Sequence, residues 1–428
     1  MKDFELLPSG ATQKFSGATP LAWERVAGST TSVNATIGWD LHELGGVSSA
    51  AGDLLRIAAA AFLADRLTTR GLGFTRSIRI SVHVVELQLW STAVLAKVEH
   101  LLRWLTGDDW KIRVVREQAI QRPPELPLAA DSVDEVTLLS GGLDSFCGAV
   151  DRLQDGKARL FIGHTDGASA VQHAQQEVRQ YIMAFLRPHG PSAAYQTVTL
   201  SQVGDKKEAS TRSRSLLFMS LATAAASARS CGRVVVPENG YTSANLPLNT
   251  ARGGALSTRS THPTTFLRLN DILTEVGIEV RISNPYQGLT KGEFVALAAS
   301  HSLVRFEEAV GRTLSCGKLD GTYYKGGNPN YACGLCVPCI VRRSSILAGG
   351  IQDYTPYLVD TLEGDALLKL RVNRKSDVDA VREATQQNVD DTDIMSIGPW
   401  PDDINLDDVV SLCNRGHREL RIVPDIAN

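Results

Sequence analysis

The chain reads as an α/β protein built on a parallel sheet with helices on both faces. Three observations lead there. Apolar strands alternate with amphipathic helices through the middle of the sequence, a glycine-rich turn follows the first of those strands, and four clustered cysteines close the stretch. The 428 residues are 43 % hydrophobic and 21 % charged, which suits two or three domains and does not suit a mainly disordered chain. Lys plus Arg total 44 against 47 Asp plus Glu, a formal net charge of −3. That balance argues against nucleic-acid affinity from bulk charge and leaves only a local basic groove open.

The opening MKDFELLPSG has no basic segment leading into an apolar one, so no secretory signal is expected. The most apolar early run, Leu54 to Ala64, contains Arg56 and is too short to span a bilayer, so no membrane association is expected. Seven cysteines stand at 147, 231, 316, 333, 336, 339 and 413, four of them within 24 residues. Such clustering fits one metal site in a reducing cytoplasm better than a disulfide framework.

Residues 1–120 read as a small α/β accessory domain. Leu54, Leu55, Ile57, Ala58, Ala61, Phe62 and Leu67 form a helical stripe, and Ile78 to Val85 reads as a strand. Val94, Leu95, Val98, Leu101, Leu102 and Leu105 recur at helical spacing up to a stop at Gly107, and Trp110 to Val115 reads as another strand. Asp40, His42 and Glu43 are metal-ligand types, but such trios are more often loop and cap residues. Gln121 to Asp131 reads as a linker, because three prolines in five positions oppose both helix and central strand.

The main domain is expected over 132–350. Val133–Leu139, Arg159–Gly163, Thr197–Leu200, Arg233–Val236 and Ile278–Ile282 are its strands, with helices near 170–186 and 213–230 between them. Residues 351–428 read as a mostly helical extension with an acidic stretch at Asp390, Asp391 and Asp393. No internal repeat or long low-complexity run is visible.

The strand ending at Leu139 runs into Ser140-Gly-Gly-Leu-Asp-Ser145 and then a helix. Two glycines let the backbone turn sharply and approach an anion, and the helix N-terminus offers unpaired N–H groups at the positive end of its dipole. Ser140 and Ser145 add hydroxyl donors, and Asp144 is suited to the Mg2+ that accompanies a triphosphate. Gly-Lys-Ser/Thr is absent, so this is no Walker loop. Cys316, Cys333, Cys336 and Cys339, with Gly334 and Pro338 for tight turns, suit a structural tetrahedral zinc knot over 316–339. An iron–sulfur cluster is the rival ligand. Cys147, Cys231 and Cys413 read as single buried thiols.

S-G-G-x-D-S after a strand resembles the pyrophosphate loop (PP-loop) of the N-type ATP pyrophosphatases. Together with the cysteine knot it resembles the QueC family, the 7-cyano-7-deazaguanine synthases, over about Glu135 to Gly350. The resemblance implies an adenine nucleotide alpha-hydrolase-like (Rossmann-like) fold, ATP, Mg2+ and Zn2+ as cofactors, and adenylation of 7-carboxy-7-deazaguanine with release of pyrophosphate. Ammonia then gives an amide, and a second activation gives the nitrile. It implies that Ser140, Gly141, Gly142, Leu143, Asp144, Ser145 and Arg212 hold the nucleotide, with Asp144, Lys291 and Arg214 catalytic. Arg214 opens a helix, and Lys291 lies in Asn284-Pro-Tyr-Gln-Gly-Leu-Thr-Lys-Gly-Glu293. Glu238, just after a strand, is expected to face the N1–H and 2-amino donors of a guanine-like base.

One segment departs from the family. Its D-Y-S-G-Y-P-D-type stretch is replaced by Asn249 to Phe266, where Arg252, Arg259 and His262 suit an anion or a different acceptor. With the added regions at both ends, this resembles the longer QueC-like proteins of Qat antiphage defence systems (QatC). Such proteins imply a 7-deazaguanine-type small molecule, partner proteins of a Qat-type operon and a cytoplasmic location. Two further functions compete: a PP-loop tRNA-modifying enzyme and a nucleotide-binding scaffold subunit. A thiolase of the first kind needs reactive cysteines outside the knot, and no basic stretch interleaved with aromatics points to tRNA.

Overall fold

The structure is a computed structural model that describes residues 1–25, 32–71, 75–117, 131–165, 169–186, 193–204, 208, 212–248 and 259–423. The linker residues 121–130 and Arg252 lie outside the described residues.

Ten strands among the described residues form one sheet: β1 (Lys2–Pro8), β2 (Thr19–Glu24), β3 (Val33–Ala35), β4 (Ser77–Val84), β5 (Asp109–Arg116), β6 (Glu135–Leu138), β7 (Arg159–Thr165), β8 (Ala193–Gln202), β9 (Arg233–Val235) and β10 (Arg281–Ser283). Their order is β10-β9-β6-β7-β8-β3-β2-β1-β4-β5. Every neighbouring pair is parallel except β3 with β8, where Val33, Asn34 and Ala35 pair antiparallel with Gln202, Ser201 and Leu200. The strands of the first 117 residues therefore continue the sheet of the central region. Three of them, β1 to β3, were not anticipated from the sequence.

Helix α1 (Ser49–Leu67) starts at Ser48, whose hydroxyl accepts the Ala51 N–H. Its alanines, Ala58 to Ala61, are fully buried, and small side chains there let it pack closely on α5 (Arg214–Ser227), itself lined by Ala224 to Ala226. Helix α2 (Thr92–Thr106) ends on Gly107, whose φ of 72° the left-handed turn requires. With α7 (Pro263–Glu275) these helices cover one face of both halves, and one apolar core runs unbroken beneath them.

The other face of the central half carries α3 (Leu143–Arg152), α4 (Ser169–Leu186), α8 (Lys291–Ser300) and α9 (Phe306–Arg312) over a second core. This is the expected α/β arrangement, helices on both faces of a parallel sheet. Helix α6 (Gly240–Ala244) follows β9, and α10 (Val337–Ala348) follows the cysteines. The C-terminal region is helical, as its sequence indicated: α11 (Leu358–Thr361), α12 (Gly364–Gln386), α13 (Asp391–Ile397) and α14 (Leu406–Leu420). Its acidic stretch does a local job, since Asp390 caps α13 and exchanges hydrogen bonds with Asp393.

The order of the central strands fixes where a ligand fits. From β6 the chain moves to β7 and β8 on one side and to β9 and β10 on the other. The crevice beyond the C-terminal ends of β6 and β9 is therefore the switch point at which open α/β sheets bind ligands. Ser140 follows β6 and Glu238 follows β9.

Candidate functional site

The turn after β6 is built for close backbone approach. Gly141 has φ of +84°, and a Cβ on it would lie 2.9 Å from the Gln175 side chain, so only glycine fits without strain. Gln175, on α4, donates from Nε2 to the carbonyls of Ser140 (3.2 Å) and His164 (2.9 Å), and the Leu314 N–H donates to Gly141 O at 3.0 Å. Ser145 Oγ accepts the Ser140 N–H at 3.2 Å and lies 3.1 Å from Ser140 Oγ. Gly142 occupies the cap position of α3, and no side chain caps that helix. The N–H groups of its first turn, which have no carbonyl inside the helix, therefore point into an anion-sized cradle. Leu143 is buried in the second core and anchors the helix instead of facing a ligand.

A cavity of about 460 Å³ opens above this turn. Ser140, Gly142, Ser145, Arg214 and Glu238 line it, with Ser260, Thr261 and, at its far wall, Cys316. Arg214 is the first residue of α5, and its guanidinium lies 5.2 Å from the Phe218 ring centroid.

Beneath the cavity lies a buried charged cluster. The Asp144 carboxylate pairs with Lys291 Nζ and accepts from Asn239 Nδ2 at 3.0 Å. Burial opposes its charge, but the Lys291 ammonium outweighs that and holds the carboxyl below its usual range. Burial likewise opposes the charge of Lys291, which Asp144 and Glu238 restore. Glu238 is driven the other way: burial first, then the Asp144 charge, push its carboxyl well above the ordinary carboxylate range. Thr242 Oγ1 donates to it at 3.2 Å, and Asn284 holds its backbone through Glu238 N–H and C=O. Each Asp144 oxygen thus has a partner, Asn239 on one side and Lys291 on the other.

Lys291 is placed by a capping box at the start of α8, with Thr290 and Glu293 exchanging side-chain and backbone bonds. Helix α14 grips the same spot. Glu419 accepts from the Thr290 hydroxyl and, at 3.0 Å, from the Gly292 N–H, while Arg415 Nε pairs with Glu293 at 2.7 Å.

Three residues expected at the site stand elsewhere. The Arg212 N–H donates to Asp65 Oδ2 at 3.0 Å and its guanidinium to Thr106 O at 3.3 Å, so it faces the first half of the chain. His262 is fully buried as the cap of α7; it accepts the Thr264 N–H at Nδ1, and its ring packs between Trp104 and Trp400. Burial drives its pKa down to about 3, so it is a neutral packing element. Arg259 sits over Trp104, 4.1 Å from the ring centroid, in a different cleft. Conversely, Gln175, Asn239 and Glu419 have structural roles that no local sequence signal announced.

The four cysteines converge as expected, their Sγ atoms all within 4.8 Å of one another. Cys316 to Cys336 and Cys333 to Cys339 are each 3.9 Å apart. A tetrahedral zinc with sulfurs at about 2.3 Å spaces them at about 3.8 Å. N–H groups of Lys318 and Cys333 point at Cys316 Sγ, and those of Cys336 and Arg374 Nε at Cys333 Sγ, the kind of second shell that steadies thiolates. The donor set fits zinc. Cys147, Cys231 and Cys413 are separate and buried, and burial raises each thiol pKa, which argues against a reactive thiolate outside the knot. Asp40, His42 and Glu43 also cluster, but Glu43 is spent on the Gly38 N–H and Arg25.

Comparison with known proteins adds one match. A segment of 93 residues, 21 % of the chain, is 30 % identical to a 7-cyano-7-deazaguanine synthase from Ralstonia pickettii (strain 12J). Over that segment the chain is QueC-like. The match covers 36 % of that synthase, so the chain spans about a third of the length of its curated relative. No family model matches the chain. Among the described residues, no helix is long and apolar enough to cross a membrane.

Proposed function

We propose that the protein is an ATP-dependent enzyme that adenylates a carboxylate and releases pyrophosphate, with 7-carboxy-7-deazaguanine or a related base as the acid. The observation that carries this reading is the single cavity lined by Ser140, Gly142, Ser145, Arg214 and Glu238 at the sheet's switch point. The QueC-like segment supports the choice of chemistry.

In the reaction a carboxylate oxygen attacks the α-phosphorus of ATP, the bond to the β-phosphate oxygen breaks, and pyrophosphate leaves with both electrons of that bond. The uncapped start of α3 and the two serine hydroxyls hold the departing pyrophosphate, and Arg214 offsets the charge that develops on it. Lys291 acts from below: by tying down Asp144 it fixes the first turn of α3 and adds positive charge under it. Glu238 is the acceptor for the paired N–H donors of a guanine-type edge. Binding such an edge favours its ionised form and so offsets the repulsion from Asp144. Cys316, Cys333, Cys336 and Cys339 would hold a structural zinc beside the cavity, which Cys316 lines.

The acyl-adenylate then passes to ammonia, giving an amide and AMP, with a second ATP adenylating the amide oxygen so that it leaves with AMP as the nitrile forms, or to an amine of a partner protein in a Qat-type antiphage defence system in the cytoplasm. Incubation with ATP, Mg2+ and the carboxylated base, with ammonia or the partner, tests this. AMP and pyrophosphate are expected in equal amounts, with a mass change on the base or on the partner identifying the acceptor. No AMP in any combination overturns the reading.

A further inference from the structure

The cleft that took Arg259 away from the glycine turn has a chemistry of its own. It is a space of about 780 Å³ between α2, α7 and the end of α13, and it shares no lining residue with the cavity described above. Its floor is Trp104, and the ring is fixed from three sides. Trp104 Nε1 donates to Thr265 Oγ1 at 2.9 Å, His262 packs edge-on at 5.2 Å between ring centroids, and the Gly398 backbone lies so close that a Cβ there would fall 2.7 Å from the indole.

Two guanidiniums share this floor. Arg259 lies 4.1 Å and Arg268 5.1 Å from the Trp104 centroid. Their only polar partners among the described residues are carbonyls, Ile397 O for Arg259 at 3.0 Å and His100 O for Arg268 at 3.4 Å. The other cations of the cleft are neutralised: Lys97 by Asp271 and Glu275, and Arg103 by Asp109. No described carboxylate pairs with Arg259 or Arg268. Burial, and for Arg259 also the neighbouring Arg268 charge, lowers the proton affinity of both. A like-charged, half-buried pair over one aromatic ring is costly unless an anion joins it.

We propose that this cleft is a second ligand site, and that Arg259 and Arg268 together bind the phosphoryl group of a small phosphate compound such as a nucleotide. A phosphate monoester carries about two negative charges at neutral pH, matching the two guanidiniums. A single carboxylate would match only one. Forked N–H donors suit phosphate oxygens. The neutral His262 and the Trp104 wall leave no acid to repel such a ligand at the floor.

Calorimetry with inorganic pyrophosphate and with adenosine monophosphate on the full chain tests this, because the two probes separate a bare phosphate from a nucleotide. The same titrations are run on Ser140→Ala/Ser145→Ala, which silences the glycine turn, and on that variant carrying in addition Arg268→Gln, Arg259→Gln or Arg268→Lys. At least one probe is expected to bind the double serine variant, in which the glycine turn is silenced. That binding should weaken at least tenfold in each glutamine variant and partly return in Arg268→Lys. Circular dichroism of the glutamine variants checks their folding; should they unfold, binding by the serine variant and its graded loss in Arg268→Lys still decide. Equal binding of both probes by all folded variants overturns the proposal. So does binding, dependent on Arg259 and Arg268, of a 20-nucleotide DNA strand alone, since the ligand would then be a polynucleotide.

Discussion

Gly141 and Gly142 are neighbours with opposite backbone demands. Gly141 has φ of +84° and Gln175 against its missing Cβ, whereas Gly142 has an ordinary φ of −82° and 3.4 Å of room to Ser140 Oγ. Gly141→Ala should lose about 1–2 kcal/mol in urea unfolding, while Gly142→Ala should stay within about 0.5 kcal/mol of the parent. Glu238 gives a pH prediction. Its folded pKa is raised above the ordinary 4.5, so as pH rises the unfolded chain loses this proton first and stability falls across that window. Glu238→Gln removes the loss. It should unfold at nearly the same temperature as the parent at pH 4, and at a higher temperature by pH 8. The residues that sequence reading located were those whose chemistry is local: the serines and glycines of one turn, and cysteines three positions apart. Arg212 and His262 misled because their partners, Asp65, Trp104 and Trp400, are far away in the chain, and an Arg or His of hidden surroundings reads as a ligand residue.

At the scale of elements, α8 starts where α14 lets it. Glu419 serves the Thr290 hydroxyl and the Gly292 N–H from a distant helix. Glu419→Ala leaves both buried donors unmatched and should cost about 1–3 kcal/mol, with weaker nucleotide affinity because Lys291 is the next residue. Denaturant titration and a nucleotide-binding assay read the two effects separately. The cysteine knot is similarly tied to α12, whose Arg374 reaches both Cys333 Sγ and Asp320. Cys336→Ser should lower bound zinc from about one per chain towards none, measured by elemental analysis, and shift the melting temperature down. The longer helices were legible because their apolar spacing persists over several turns, and the anticipated strands because they are short runs of Val, Ile and Leu. β1, β2 and β3 were not: Leu6, Leu7 and Pro8 break the alternation, and β3 is three residues long, so pairing and not pattern defines it.

At the scale of the molecule, the two halves are joined by buried ions as well as by β3 and β8. Asp65 of α1 pairs with Arg76 and also accepts the N–H groups of Arg212 and Ser213 and the Ser213 hydroxyl, just ahead of Arg214 in the cavity. Asp65→Ala should destabilise by about 3–5 kcal/mol, while Asp65→Asn should cost less and mainly weaken nucleotide binding, as equilibrium unfolding and calorimetry would separate. The joining of the halves could not be read from the sequence, since an antiparallel pair of three residues carries no signature. It has a practical result for anyone dissecting the chain. Expressing residues 131–428 alone would bare the Leu200 to Gln202 end of β8 and the apolar face of α5 that α1 covers, and such a fragment should clump in the test tube even with its glycine turn and cysteine cluster intact.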